Sequence, residues 1–175
     1  MRKITLFSVS VLLTAAVAMA QQPAKPLSPA AKAEAKIGAA EITIDYSAPS
    51  KRERVIMGEL VPFDKVWRTG ANAATKLTTT RDLMFGDVHV PAGTYSLLTI
   101  PSKDEWTLIF SNQKDLRGST NYDATQDVGR VKMSVKPVKD TVETFAINVR
   151  PIGTERGTLS MTWENTTASV LFMVH

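Results

Sequence analysis

The strongest constraint in this 175-residue chain is an apolar alternation of period two that recurs from Ile42 to Val174. Ile42, Ile44 and Tyr46 alternate with Thr43 and Asp45, and Val131, Met133 and Val135 alternate with Arg130, Lys132, Ser134 and Lys136. Phe145, Ile147 and Val149 repeat the pattern, as do Leu159, Met161 and Trp163, and Ala168, Val170, Phe172 and Val174 close the series. Successive side chains of a strand point to opposite faces, so each run describes a ribbon with one dry and one wet side. Ribbons of this kind hide their dry sides against one another. The pattern predicts an all-β fold, an antiparallel β-sandwich of eight or nine short strands.

Turn residues divide the runs. Gly86-Asp87 between Leu83-Met84-Phe85 and Val88-His89-Val90 predicts a two-residue hairpin. That register sets Phe85 opposite Val88 and Leu83 opposite Val90, with Met84 and His89 on the other face. Pro91-Ala92-Gly93 turns the chain into a strand over Thr94–Ile100, and a polar loop at Ser102–Glu105 leads to Trp106–Phe110. Pro137–Thr141 reads as a turn and Glu164–Thr167 as a hairpin loop. Arg52–Arg68 has no clean period, and a helical turn is expected near Val61–Val66.

The amino terminus differs in kind. Arg2 and Lys3 precede an apolar run from Ile4 to Val17, and Ala18-Met19-Ala20 is a small-x-small cleavage pattern. This predicts a cleaved secretory signal peptide over 1–20, with a mature chain starting at Gln21 and residing in the periplasm or outside the cell. The run is shorter than the roughly 20 residues of a membrane span. Gln21–Lys36, with Pro23, Pro26 and Pro29, reads as an exposed linker with a short helix over Pro29–Lys36, leaving 37–175 as the domain.

Removal of the leader would take two of the 21 basic residues, leaving 19 against 17 acidic ones, a net of +2. That balance argues against a nucleic-acid partner. The chain has no cysteine, so no disulfide framework is expected of it.

Candidate chemistry is sparse. Trp67, Arg68, Thr69 and Asn72 form the best ligand-binding candidate, since indole and guanidinium together stack on and hydrogen-bond planar or anionic groups. The competing reading is a structural corner with Trp67 buried. His89 and His175 are the only histidines, and no nucleophile or metal-ligand motif accompanies them, so neither a metal nor a cofactor is expected. Asn121, Asp123, Thr125 and Asp127 alternate as calcium ligands do, but Gln126 and Lys132 stand where such a loop has Gly and Glu. Lys51-Arg52-Glu53-Arg54 is a basic run able to draw a phosphate or acidic sugar, read here as a solvated loop. Glycoside hydrolysis needs two convergent carboxylates, for which Glu53, Glu59, Asp64, Asp104, Glu105, Asp127 and Glu164 are available. Asn165-Thr166-Thr167 and Asp140-Thr141-Val142 fit short glycosylation patterns and mark expected exposed loops.

Three blocks look familiar. Gly58-Glu59-Leu60-Val61-Pro62-Phe63 with Lys65-Val66-Trp67-Arg68-Thr69-Gly70-Ala71-Asn72 and Thr75 is the first; Ala92–Leu97, Ile100-Pro101 and Trp106-Thr107 form the second; Asp127 with Arg130-Val131 is the third. Together they resemble the exported bacterial family known as domain of unknown function 2911, over about Ile37 to Val149. The resemblance implies an exported β-rich domain and assigns it no activity or ligand.

The functional expectation is thus a non-enzymatic exported module whose partner is a small molecule, a glycan or an envelope protein, bound around Trp67–Asn72. The alternative is a hydrolase acting on saccharide or envelope polymers, with unassigned catalytic residues. A third reading is an interaction protein that offers an exposed sheet face to a partner.

Overall fold

Alternating burial runs strand by strand through the computed structural model, which describes residues 27–114, 116 and 118–175. The strands are β1 Ala30–Ile37, β2 Ala40–Ser47, β3 Thr75–Thr79, β4 Leu83–Phe85, β5 Val88–Val90, β6 Gly93–Ile100, β7 Glu105–Ser111, β8 Asp127–Pro151 and β9 Arg156–Val174. All pair antiparallel in one sheet of order β1-β2-β3-β6-β7-β8-β9-β4-β5. The all-β antiparallel expectation holds, and a single curling sheet supplies the walls on both sides of the core. The Gly86-Asp87 hairpin has the expected register, with Phe85 opposite Val88 and Leu83 opposite Val90.

The core that the sheet encloses draws on every strand, from Ile37, Ile42 and Ile44 through Leu77, Leu97, Trp106 and Phe110 to Phe145, Met161, Trp163 and Phe172. Past β2 the chain continues along β8: Lys51 N–H donates to the Glu143 carbonyl at 2.7 Å, and Phe145 N–H to that of Pro49 at 2.9 Å. A smaller cluster of Ala74, Leu98, Ile109 and Leu116 lies apart from that core. It explains why β6 is buried on both faces from Tyr95 to Thr99.

Three local expectations are corrected. Ala30–Ile37 is strand β1, so the segment taken for the end of a linker, with its short helix, belongs to the sheet. Ala31, Ala33 and Ala35 lie opposite Tyr46, Ile44 and Ile42. Helix propensity in an Ala- and Lys-rich stretch is worth only tenths of a kcal/mol per residue, and eight residues of pairing with β2 override it. Glu164–Thr167 is not a hairpin loop and Pro137–Thr141 is not a turn; both lie inside the long strands β8 and β9, at or beside shifts of their register. Proline is tolerated at such a bulge because no ladder bond is demanded of its nitrogen. The two glycosylation-like triplets therefore fall on strands. No helical turn forms at Val61–Val66; Val61 N–H donates to the Ile56 carbonyl and Gly58 N–H to that of Val61, which closes a tight bridged loop. The stretch read as a signal peptide and the start of the linker lie outside the described residues.

Gly157 shows how tightly the ribbon meets the core. A Cβ there would sit 2.4 Å from Phe172 Cζ and 2.5 Å from Ile37 Cδ1, both of them buried side chains. Gly157→Ala is expected to lower stability by about 1–3 kcal/mol, the usual cost of overpacking, read as a fall in urea midpoint; an unchanged midpoint would contradict this packing.

Candidate functional site

The site begins with an unfilled strand edge. β3 pairs with β6 only as far as Leu97, so the last residues of β6 lack a neighbour on that side. Trp67 takes the place: its N–H donates to the Thr99 carbonyl at 2.7 Å, and Thr99 N–H donates back at 2.9 Å. The half-buried indole packs among three other rings. Trp163 stacks on it at 6.0 Å between centroids and 17° between planes, while Phe145 at 5.0 Å and Trp106 at 6.2 Å meet it edge-on. Such pairs add roughly 0.5–1.5 kcal/mol each beyond the area they bury. Trp163 is itself fixed, since its Nε1–H donates to the Glu143 carbonyl at 3.1 Å.

After Trp67 the backbone turns sharply. Thr69 and Asn72 both adopt positive φ, at 57° and 58°. Thr69 is fully buried; its hydroxyl donates to Thr99 Oγ1 at 3.1 Å and its carbonyl accepts from Thr75 Oγ1 at 2.6 Å. Gly70 is required here, because a Cβ would sit 3.0 Å from the Ser47 carbonyl oxygen. Asn72 donates from Nδ2 to Ser47 Oγ at 3.2 Å and to the Ser28 carbonyl at 3.4 Å.

Two carboxylates on the β8–β9 ribbon hold the facing loop. Glu143 Oε1 accepts from Arg52 N–H at 2.8 Å. Glu164, at φ 52°, accepts from the N–H groups of Ile56 and Met57 at 3.3 and 3.2 Å, and lies 3.7 Å from Lys51 Nζ. Arg54 donates back into its own loop, to the carbonyls of Lys51 and Ser50.

Between these walls lies a pocket of about 350 Å³. Arg52, Arg54, Lys65 and Arg68 line it together with Trp67 and Trp163, and among the described residues no Asp or Glu belongs to its lining. Among the described residues, none of the four cations is within ion-pair distance of a carboxylate. Arg68 Nε is buried and has no hydrogen-bond partner among the described residues. Clustered guanidinium and ammonium groups in a concave site focus positive potential and present donors suited to carboxylate, sulfate or phosphate oxygens.

Of the four residues singled out from sequence, Trp67 and Arg68 line this pocket, whereas Thr69 is spent on internal hydrogen bonds and Asn72 lies outside the lining. Arg52 and Arg54, read as part of a solvated run, face the pocket. Lys65 and Trp163 were missed, and so was the tethering role of Glu143 and Glu164. Glu143 carried a usable signal, since it shares the inward parity of Phe145, Ile147 and Val149; a carboxylate in that register marks a rim.

The other candidates disperse. None of the seven carboxylates proposed for hydrolysis lines the pocket; Glu105 pairs with Lys132, Asp127 with Arg130, and Glu164 with Lys51. Asp123 caps a single 3-10 turn at Ala124–Gln126, accepting from Thr125 N–H and Oγ1. Asp127 binds Arg130 Nε and the Tyr122 hydroxyl, and burial followed by that hydrogen bond pushes the Tyr122 phenol up to about 12. His89 Nε2 lies 2.7 Å from Asp82 Oδ2, while Asp82 Oδ1 accepts from Ala92 N–H at 2.9 Å.

The Ala92 N–H, then the His89 contact, holds the Asp82 carboxyl below the ordinary value of 3.8. A carboxyl depressed in the folded state contributes stability above its unfolded pKa and loses it as pH falls through the folded one. The stability gap between the natural chain and Asp82→Ala should therefore be full at pH 5–7 and close progressively below about pH 4. Urea midpoints across that range test this, and a gap independent of pH would refute it.

No curated protein and no solved structure matches the chain. A family model described as "Protein of unknown function (DUF2911)" matches residues 28–172, which takes in β1 and all but the end of β9. Apart from Leu27 at its edge, the pocket lining falls within that match, and the chain belongs to the DUF2911 family.

Proposed function

We propose that this domain is an exported binding module for an anionic saccharide, held in the pocket between Trp67–Ala71 and Arg52–Arg54. The observation that carries the reading is the convergence of Arg52, Arg54, Lys65 and Arg68 on one pocket, with no acidic residue in its lining among the described residues. Four like charges side by side repel one another, and an acidic guest relieves that repulsion. The indoles of Trp67 and Trp163 give the same pocket an apolar surface on which the face of a sugar ring can lie. A volume near 350 Å³ suits one or two sugar units bearing phosphate, sulfate or a uronic carboxylate.

Hydrolysis of such a guest would call for an acid and a base on either side of the scissile bond. Among the described residues the pocket lining offers neither carboxylate, so binding is the reading these residues favour. The secretory signal peptide read over residues 1–20 supports export, which would bring the domain to envelope or environmental polysaccharide.

Thermal-shift and calorimetric measurements on the mature chain should show stabilisation by uronic-acid oligomers or sugar phosphates and none by their neutral counterparts. A guest at 100 times its dissociation constant adds about 2.7 kcal/mol. Arg54→Ala and Arg68→Ala should keep the β circular-dichroism spectrum and each weaken binding roughly 10- to 100-fold, the loss of about 1.5–3 kcal/mol associated with a charged hydrogen bond. Higher salt should weaken binding further. Equal response to neutral and acidic sugars, or undiminished binding by the Arg54→Ala/Arg68→Ala double variant, would sink the proposal.

A further inference from the structure

A second cluster, unused by the cationic pocket, lies on β9, β4 and β5 at one end of the sheet. Register builds it. Met84 of β4 lies directly opposite Met173 of β9 on one side and opposite His89 of β5 on the other. Two residues along the ladder, His175 N–H donates to the Asp82 carbonyl at 2.9 Å, so those two residues form the next row on the same face. Burial fixes the face: Leu83, Phe85 and Phe172 are buried, whereas Met84 is half-buried, His89 is exposed and Met173 is 47% exposed. Asp82 and His175 stand two residues from Met84 and Met173 and share their outward parity. The chain has only two histidines, and this face holds both.

Neighbouring strands stand about 4.8 Å apart, so His89, Met84 and Met173 span roughly 10 Å and their side chains can meet above β4. Asp82 already supplies the outer support such a centre needs. A ligating histidine usually donates its second ring N–H to a carboxylate, which fixes tautomer and ring orientation. Here His89 Nε2 meets Asp82 Oδ2 at 2.7 Å, and Asp82 is fixed in turn by Ala92 N–H. With the proton on Nε2, the lone pair resides on Nδ1. Met84 and Met173 also line an open groove of about 330 Å³.

We propose that Met84, Met173 and His89 bind a soft monovalent metal ion, Cu(I), with Asp82 as the positioning residue for His89. Two thioethers and an imidazole are soft, neutral donors that select Cu(I) over Ca(II), Mg(II) or Zn(II). No cysteine thiolate competes for the ion anywhere in the chain. Asp82 and His175 lie beside the cluster, and Arg156 lines the same groove as the methionines. A single positive charge is better tolerated beside that guanidinium than a divalent one.

The test uses the untagged chain under anaerobic conditions, with bathocuproine disulfonate competing for Cu(I). One Cu(I) per chain is expected. His89→Gln and the double variant Met84→Leu/Met173→Leu should each weaken it at least ten-fold, and Asp82→Ala roughly ten-fold, within the range for outer-shell partners. Met133→Leu, a change in the core, should leave binding unaltered. Ag(I), a redox-inert surrogate, should shift the ε-methyl NMR signals of Met84 and Met173 in the natural chain, which decides the matter even if the double variant fails to fold. Absence of a stoichiometric Cu(I) complex, undiminished affinity in a folded double variant, Ag(I) shifts confined to other methionines, or tighter Zn(II) than Cu(I) binding would each overturn the assignment. Arg54→Ala should retain Cu(I), which separates this site from the saccharide pocket.

Discussion

The pairing of β8 with β9 is the interaction on which the rest of the structure depends. These strands are 25 and 19 residues long, far beyond the usual five or six, and they stay paired across shifts of register at Pro137–Val142 and Val142–Ala146. Bulges bend and twist a ribbon without cutting it. One pair of strands can therefore bond to β7 at the start of β8, enclose the core with Phe145, Met161 and Trp163, and still receive β4 at the far end of β9. The aromatic packing around Trp67 and both loop-tethering carboxylates hang from this ribbon.

Charge is divided by task around the pocket. Glu143 and Glu164 direct their carboxylates at backbone N–H groups of Arg52, Ile56 and Met57, so these two acidic groups serve to shape a loop. Arg52 and Arg54 of that loop, with Lys65 and Arg68, are left facing the cavity. Each tether closes a separation of about ninety residues or more in sequence, which makes the pocket a product of tertiary structure and not of a motif.

That explains what was legible in the sequence. Hairpin register at Gly86-Asp87 and the dry faces of β2, β8 and β9 follow from parity alone, because a one-residue slip would turn a strand's apolar set toward water. The inward parity of β9 changes between Trp163 and Ala168, from odd positions to even ones. A hairpin loop and a bulge leave the same mark on an amino-acid string, and only the pairing of Lys136 with Thr167 and Val142 with Glu164 distinguishes them. The Trp67–Asn72 segment stood out by residue type, yet type did not divide Trp67 and Arg68, which line the cavity, from Thr69 and Asn72, which brace the corner. The involvement of Arg52 and Arg54 was illegible because the groups that aim their loop lie on the distant ribbon.

Strand β1 has a consequence beyond completing the sheet. It is the outermost strand at its end of the order, where backbone N–H and C=O groups invite another chain to add on. Lys32, Glu34 and Lys36 are exposed at alternate positions along it, with Ala31, Ala33 and Ala35 between them. A foreign strand docking there would have to strip water from a row of alternating charges in return for contact with methyl groups. Edge-to-edge pairing of copies along β1 is thereby disfavoured.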